Sequence, residues 1–98
     1  MGSIHRSYIP IPNSADGRFW CIDTGYIANL GYETMVFDAV KLPEGHGYQY
    51  DIDMYDELDM DRASNIDEAY ENHKKMVEKW SKITRDQVFK EEQNTNGK

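Results

Sequence analysis

The feature that most constrains the fold is an apolar stripe with helical spacing near the end of the chain. Between residues 66 and 83, apolar side chains recur at intervals of three and four, which places them on one face of a helix. Asn65 precedes the stripe, and Glu68 lies three residues after Asn65, which is the spacing of a capping box. The helix is therefore predicted to begin here and to end between residues 83 and 90. The stripe consists of Ile66, Ala69, Tyr70, His73, Met76, Val77, Trp80 and Ile83.

Strand patterns supply the layer against which this helix can pack. Residues 19–28 are rich in aromatic and β-branched side chains, and residues 32–40 are apolar on both parities, which is typical of a central strand. Residues 48–61 alternate between apolar even positions and mostly acidic odd positions, which predicts one face in the core and one in water. Tyr55 and Asp56 break the alternation, so we expect a bulge or kink there. We therefore expect an α+β fold, with a three- to four-stranded antiparallel meander covered on one face by one C-terminal amphipathic helix.

The length and composition predict a single domain. The 98 residues suffice for one core but not for two, and we assign residues 1–90 to the domain and 91–98 to a disordered tail. Pro10 and Pro12 make residues 1–17 an extended arm or an edge strand. The sequence has no apolar run near the roughly 20 residues of a membrane span, no signal-peptide pattern and a single cysteine, so we expect a cytoplasmic protein.

The net charge of -7 is concentrated in one short stretch. Residues 51–61, DIDMYDELDMD, hold six carboxylates and no basic residue, and we call them the acidic segment. The chain has no basic cluster, which argues against direct binding of nucleic acid or anionic lipid, because that affinity comes mainly from Lys and Arg against phosphate. An electrostatic partner should therefore be a basic protein.

The acidic segment does not match a calcium-binding loop. An EF-hand loop that began at Asp51 would need a ligand, Gly and Glu at its fifth, sixth and twelfth positions, which are Tyr55, Asp56 and Arg62. Asp51 and Asp53, about 6.5 Å apart on one face of a strand, could still contribute to a less regular Ca²⁺ or Mg²⁺ site with ligands from elsewhere. Our prediction is that the protein has no metal and no cofactor.

Catalytic patterns are equally weak. A glycosidase-type acid pair needs a cleft and one buried carboxyl, which the solvent face of a strand does not provide. The sequence contains no nucleophile elbow, phosphate-binding glycine loop, CxxC or HExxH motif. His73 lies on the apolar stripe and is expected to be a histidine at the edge of the core with one hydrogen-bond partner. The protein is therefore predicted not to be an enzyme.

Two interpretations of the acidic segment remain open. It can be the solvated face of a strand, whose charges keep the protein soluble and keep a sheet edge from pairing with other molecules. Alternatively, side chains at every second position repeat at about 6.5 to 7 Å, comparable with phosphates along a nucleic-acid strand. Such a row could occupy the basic groove of a nucleic-acid-binding protein.

Two stretches resemble a set of small uncharacterised phage- and prophage-encoded proteins. These are ETMVF at 33–37 and DRASNIDEAYENHKKMVEKW at 61–80, and the set combines such a strand with a helix that carries a histidine followed by Met-Val. Asn72 stands where the set has glycine, and the turn at 29–31 is shorter than its glycine-rich loop. The resemblance implies a phage accessory protein without a defined activity, located in the cytoplasm of a bacterial host cell. The matching positions are Glu33, Thr34, Met35, Val36, Phe37, Glu68, Ala69, His73, Met76 and Val77.

Together these patterns predict a small acidic accessory protein that acts by binding another, basic protein. One form of this function is inhibition of a nucleic-acid-handling host protein. The alternative is an assembly component that self-associates through a sheet edge, and the sequence leaves the oligomeric state open. The predicted partner-binding residues are Asp51, Asp53, Tyr55, Asp56, Glu57, Asp59 and Asp61.

Overall fold

The computed structural model describes residues 2–45 and 47–89. In chain order the strands are β1 (Gly2–Pro10), β2 (Arg18–Ile27), β3 (Gly31–Lys41), β4 (Tyr50–Ile52) and β5 (Asp59–Ala63), and they are followed by the helices α1 (Ile66–Trp80) and α2 (Arg85–Val88). The predicted tail at 91–98 lies outside the described residues.

The five strands form one antiparallel sheet with β3 at its centre. β1 pairs with β2, β2 pairs with β3, and the other side of β3 pairs with β4 near its end and with β5 near its start. Helix α1 packs over β2, β3 and β5. The predicted α+β fold is therefore confirmed, and so are the central position of β3 and the edge position of the proline-containing first strand.

Helix α1 begins where the sequence predicts. The side chain of Asn65 accepts a hydrogen bond from the Glu68 backbone N–H at 2.8 Å, and the Glu68 carboxylate accepts one from the N–H of Ser64 at 3.1 Å. These bonds satisfy backbone donors that the first helical turn leaves free. The buried residues of the helix follow the predicted spacing: Ala69, His73, Met76 and Trp80.

The predicted helix end, between residues 83 and 90, is wrong. Helix α1 stops at Trp80, and the carbonyl oxygen of Ile83 accepts a hydrogen bond from the indole N–H of Trp20 at 2.9 Å. Thr84 then caps the short helix α2 through a capping box with Gln87. The Thr-x-x-Gln spacing at 84–87 is a helix-start signal in the sequence.

The main core lies between the sheet and α1. Trp20 and Ile22 of β2 and Val36 of β3 are fully buried there, and Met76 and Trp80 of α1 pack against them. The rings of Trp20 and Trp80 meet edge to face with their centroids 5.0 Å apart, a favoured aromatic geometry.

The opposite face of the sheet, which we call the open face, carries a smaller apolar cluster. Cys21, Phe37 and Ala39 are buried in it. No helix of the described residues packs on this side, and part of the cover comes from Tyr8 and Tyr50, whose rings stack with centroids 3.7 Å apart.

A bulge in β1 adds an ion pair to the open face. Ser3 pairs with Gly25 and His5 pairs with Thr24, so one extra residue lies in β1 at this point. The extra residue changes the alternation of side chains, so that Ser3 and Arg6 both reach the buried Asp23, at 2.7 and 3.1 Å.

Candidate functional site

The acidic segment does not form the continuous strand that its alternation predicts. Val40 of β3 pairs with Asp51, and Val36 pairs with Asp59. The chain therefore advances eight residues along this edge while β3 advances four, so the edge contains four extra residues. They are residues 54–57, because the N–H groups of Asp53 and Leu58 on either side still donate to β3 carbonyls at 2.9 and 2.8 Å. The interruption falls at the predicted kink, and it is larger than a bulge. We call residues 53–58 the edge loop.

The predicted orientation of this edge is also wrong. The odd-numbered residues Asp51, Asp59 and Asp61 pair with even-numbered residues of β3, which places them on the side of the sheet that α1 covers. Ile52 packs instead into the cluster on the open face. Alternation along a strand shows that two faces differ but does not show which face meets the helix.

The break also removes the evenly spaced row of carboxylates. Only Asp51 and Asp53 at one end, and Asp59 and Asp61 at the other, retain the spacing of a strand. Residues 54–57 of the edge loop separate the two pairs, so the comparison with phosphates along a nucleic-acid strand does not hold for the segment as a whole.

Asp59 is part of the folded framework. Its Oδ2 accepts hydrogen bonds from Lys79 Nζ at 2.7 Å and from the Trp80 indole N–H at 3.0 Å. Burial by itself raises the pKa of this carboxyl, but the bonds from Lys79 and Trp80 outweigh burial and hold the pKa below its usual value. Asp59 therefore fixes the edge strand to α1 and is not free to meet a partner.

The other carboxylates of the segment have no side-chain partner among the described residues, although Asp53 and Asp61 each accept a hydrogen bond from a nearby backbone N–H. Within residues 2–45 and 47–89, the acidic members of the ion pairs are Asp23, Glu33, Asp38 and Asp59. The remaining carboxylates of the segment are exposed and unpaired by any described cation: Asp51, Asp53, Asp56, Glu57 and Asp61.

Two large apolar side chains stand among these charges. The side chain of Tyr55 is fully exposed and that of Met54 is 51% exposed, and both belong to the edge loop. The loop is held at its base by the backbone bonds of Asp53 and Leu58, and Leu58 also packs against the main core. The sequence indicated Tyr55, but Met54 was missed, because the alternation assigned it to the buried face.

Tyr55 lies between two grooves. On one side, a groove of about 350 Å³ is lined by Asp51 and Asp53 together with residues 38–40 of β3. On the other side, a groove of about 590 Å³ lies between residues 54–57 and the open face, with Met35 and Phe37 among its lining. The structure thus brings the predicted binding residues other than Asp59 and Asp61 together around one tyrosine.

The described residues contain no group of three or more His, Cys, Asp and Glu side chains arranged to hold a metal ion. None of the helices within the described residues is long and apolar enough to cross a membrane.

A row of hydrogen-bonded polar side chains between α1 and the sheet includes His73. Its Nε2 lies 2.9 Å from Ser7 Oγ, and its Nδ1 lies 2.7 Å from Thr24 Oγ1, which is itself 2.7 Å from Thr34 Oγ1. His73 therefore has two partners, where the sequence suggested one. A serine beside an imidazole is the geometry of an activated nucleophile. Burial, with a smaller effect from His5, lowers the pKa of His73 to about 4, so it is a weak base at neutral pH.

No known protein family, curated protein or solved structure matches this chain. The resemblance to phage-encoded proteins therefore remains a prediction from the two sequence stretches that carry it.

Proposed function

We propose that the protein is a non-enzymatic accessory protein, of the phage type that its sequence resembles, and that it binds a basic protein through the edge loop and its flanking carboxylates. The observation that carries the proposal is the fully exposed Tyr55, with the half-exposed Met54 beside it, among unpaired acidic side chains. Charges that only keep a protein soluble do not require exposed aromatic and thioether groups. Tyrosine and methionine are enriched in protein interfaces.

The charge supports a basic partner. Asp59 is bonded to α1 and is not counted as part of the candidate surface. The surface still contains five carboxylates that are exposed and close in sequence: Asp51, Asp53, Asp56, Glu57 and Asp61. Such a field speeds the association of an oppositely charged protein and makes the rate depend on salt. A nucleic-acid-handling protein is a suitable partner class because its binding surface is basic, and occupation of that surface would inhibit it.

Self-association through a sheet edge is the second candidate, and the nine-residue edge strand β1 favours it. However, β1 carries a bulge and ends at Pro10, and the opposite edge is charged and interrupted by the edge loop. Bulges, prolines and charges are the devices that prevent edge pairing. We therefore rank partner binding above assembly.

The test is capture of partners from bacterial lysate by the tagged protein, with washes at low and raised salt. One variant replaces Asp51, Asp53 and Asp56 with Asn. The matched control replaces Asp67, Glu71 and Glu78, on the exposed face of α1, with the corresponding amides, so that the net charge changes equally. A basic protein that both wild type and control retain at low salt, and that the first variant loses, supports the proposal.

Equal loss from the two variants would instead indicate nonspecific attraction to an acidic protein. Recovery of the bait alone, in a form that sediments as a dimer or larger species at micromolar concentration, would favour the assembly function. Either of these results would contradict binding through the edge loop.

A further inference from the structure

The groove between the edge loop and the open face has an apolar floor and an acidic wall. Met35 and Phe37 of β3 form the floor, and residues 54–57 form the wall. Its volume of about 590 Å³ lies within the range of about 300 to 1,000 Å³ that is usual for ligand sites. No helix of the described residues packs on the open face, so the groove opens to solvent.

The charges around this groove are not balanced. Asp23, which also lines the groove, is neutralised because Arg6 lies 3.1 Å from one carboxylate oxygen and Ser3 donates to the other at 2.7 Å. Asp56 and Glu57 on the wall have no cation partner among the described residues. An occupant that complements the groove therefore needs an apolar stem and a positively charged end.

We propose that this groove receives an arginine side chain of the basic partner, an inference that rests on the proposed function. The alkyl stem would lie on Met35 and Phe37, and the guanidinium would bind the carboxylates of Asp56 and Glu57. Arginine fits better than lysine because its planar group can bind two carboxylate oxygens and stack on an aromatic ring. Tyr55 beside the groove supplies that ring.

The test uses two peptides of equal charge, hexa-arginine and hexa-lysine, titrated by calorimetry into the full chain. The groove variant is Asp56→Asn with Glu57→Gln. The matched control is Asp51→Asn with Asp53→Asn, which removes the same charge from the same segment but outside this groove. We expect hexa-arginine to bind the wild-type chain more tightly than hexa-lysine does. Its affinity should be about tenfold lower for the groove variant and less than about threefold lower for the control.

Methyl NMR locates the peptide independently of affinity. Met35 and Met54 line the groove, whereas Met76 is buried in the main core beneath α1. Hexa-arginine should shift the methyl signals of Met35 and Met54 and leave that of Met76 in place. Shifts of equal size at all three would indicate a general conformational change and would contradict insertion into the groove.

The remaining outcomes separate this inference from the proposed function. If the two peptides bind equally and both double variants lose affinity equally, the groove has no special role, and the acidic surface as a whole remains the binding site. If neither peptide binds the wild-type chain, arginine insertion is wrong. The capture experiment then decides by itself whether the protein binds a basic partner.

Discussion

His73 Nδ1 lies 2.7 Å from Thr24 Oγ1, and this contact joins the imidazole of α1 to the centre of the sheet. The second ring nitrogen contacts Ser7 in β1 at 2.9 Å, so a single side chain connects the helix to two strands. The ring is 3% exposed, and both of its nitrogens have partners within the protein. Its buried, neutral form is therefore part of what holds the helix on the sheet.

This burial predicts a stability that falls in mild acid. The pKa of His73 is lowered to about 4 in the folded protein, against about 6.5 for an unfolded histidine. Between these values the unfolded chain binds the proton more readily, so the free energy of unfolding should decrease as the pH falls from about 6.5 towards 4, by up to about 1.4 kcal/mol per pH unit.

Urea denaturation at several pH values between 7 and 4.5 measures this effect. His73→Gln is the reference, since glutamine keeps a donor and an acceptor but does not titrate in this range. The slope of wild type should exceed that of the variant. Equal slopes would mean that protonation of His73 is not coupled to folding.

The tie between Asp59 and α1 predicts different costs for two neighbouring carboxylates. Asp59→Asn weakens charge-assisted bonds from Lys79 and Trp80 and should lower the free energy of unfolding by about 1 to 2 kcal/mol. Asp61→Asn removes an exposed, unpaired charge and should change it by less than about 0.5 kcal/mol. Chemical denaturation at pH 7 compares the two.

The bonds of Asp59 to Lys79 and Trp80 also predict a pH dependence of stability. For His73 the cause is the gain of a charge on protonation, whereas for Asp59 it is the loss of one. Because the folded pKa of Asp59 is lowered, its contribution to stability is complete above the unfolded carboxyl value of about 3.9 and is lost as the pH falls through the folded pKa. The difference between wild type and Asp59→Asn should therefore shrink below about pH 4. A difference that persists in acid would show that geometry rather than charge is responsible.

A close backbone approach predicts that two glycines with similar dihedral angles respond differently to substitution. Gly31 and Gly45 have φ values of 95° and 97°, which disfavour any side chain. A Cβ at Gly31 would lie 2.7 Å from the carbonyl oxygen of Ala63, whereas a Cβ at Gly45 would meet no atom of the described residues within 4 Å. Gly31→Ala should therefore lower the melting temperature more than Gly45→Ala. Equal shifts would attribute both losses to φ alone.

Burial along α1 predicts unequal costs within one apolar stripe. Met76 is 6% exposed, and Met76→Ala should cost about 2 to 5 kcal/mol of unfolding free energy because it leaves a cavity in the main core. Ile66, at the start of the same stripe, is 44% exposed, and Ile66→Ala should cost less than about 1 kcal/mol. Guanidinium denaturation distinguishes them, and similar costs would contradict the burial of Met76 in the main core.

Local patterns were sufficient where one segment determines its own structure. The three- and four-residue spacing of apolar side chains and the Asn65 cap specified where α1 begins, because both operate within a few residues of the chain. The two-sided apolar pattern of residues 32–40 likewise identified the central strand, since a strand covered on both faces has no solvent side. The end of α1 was missed because the apolar spacing continues to Ile83, although the capping box of Thr84 with Gln87 is a local signal for the start of a new helix.

The residue pattern was enough to predict an amphipathic helix packed on an antiparallel sheet, and it located most of the negative charge in the acidic segment. The role of each carboxylate depends on contacts between distant parts of the chain. The alternation of a strand is the same whichever face meets the helix, so pairing with β3 and the position of α1 were needed to place Asp59 beside Lys79. Those same pairings leave four residues without room in the ladder and so expose Tyr55.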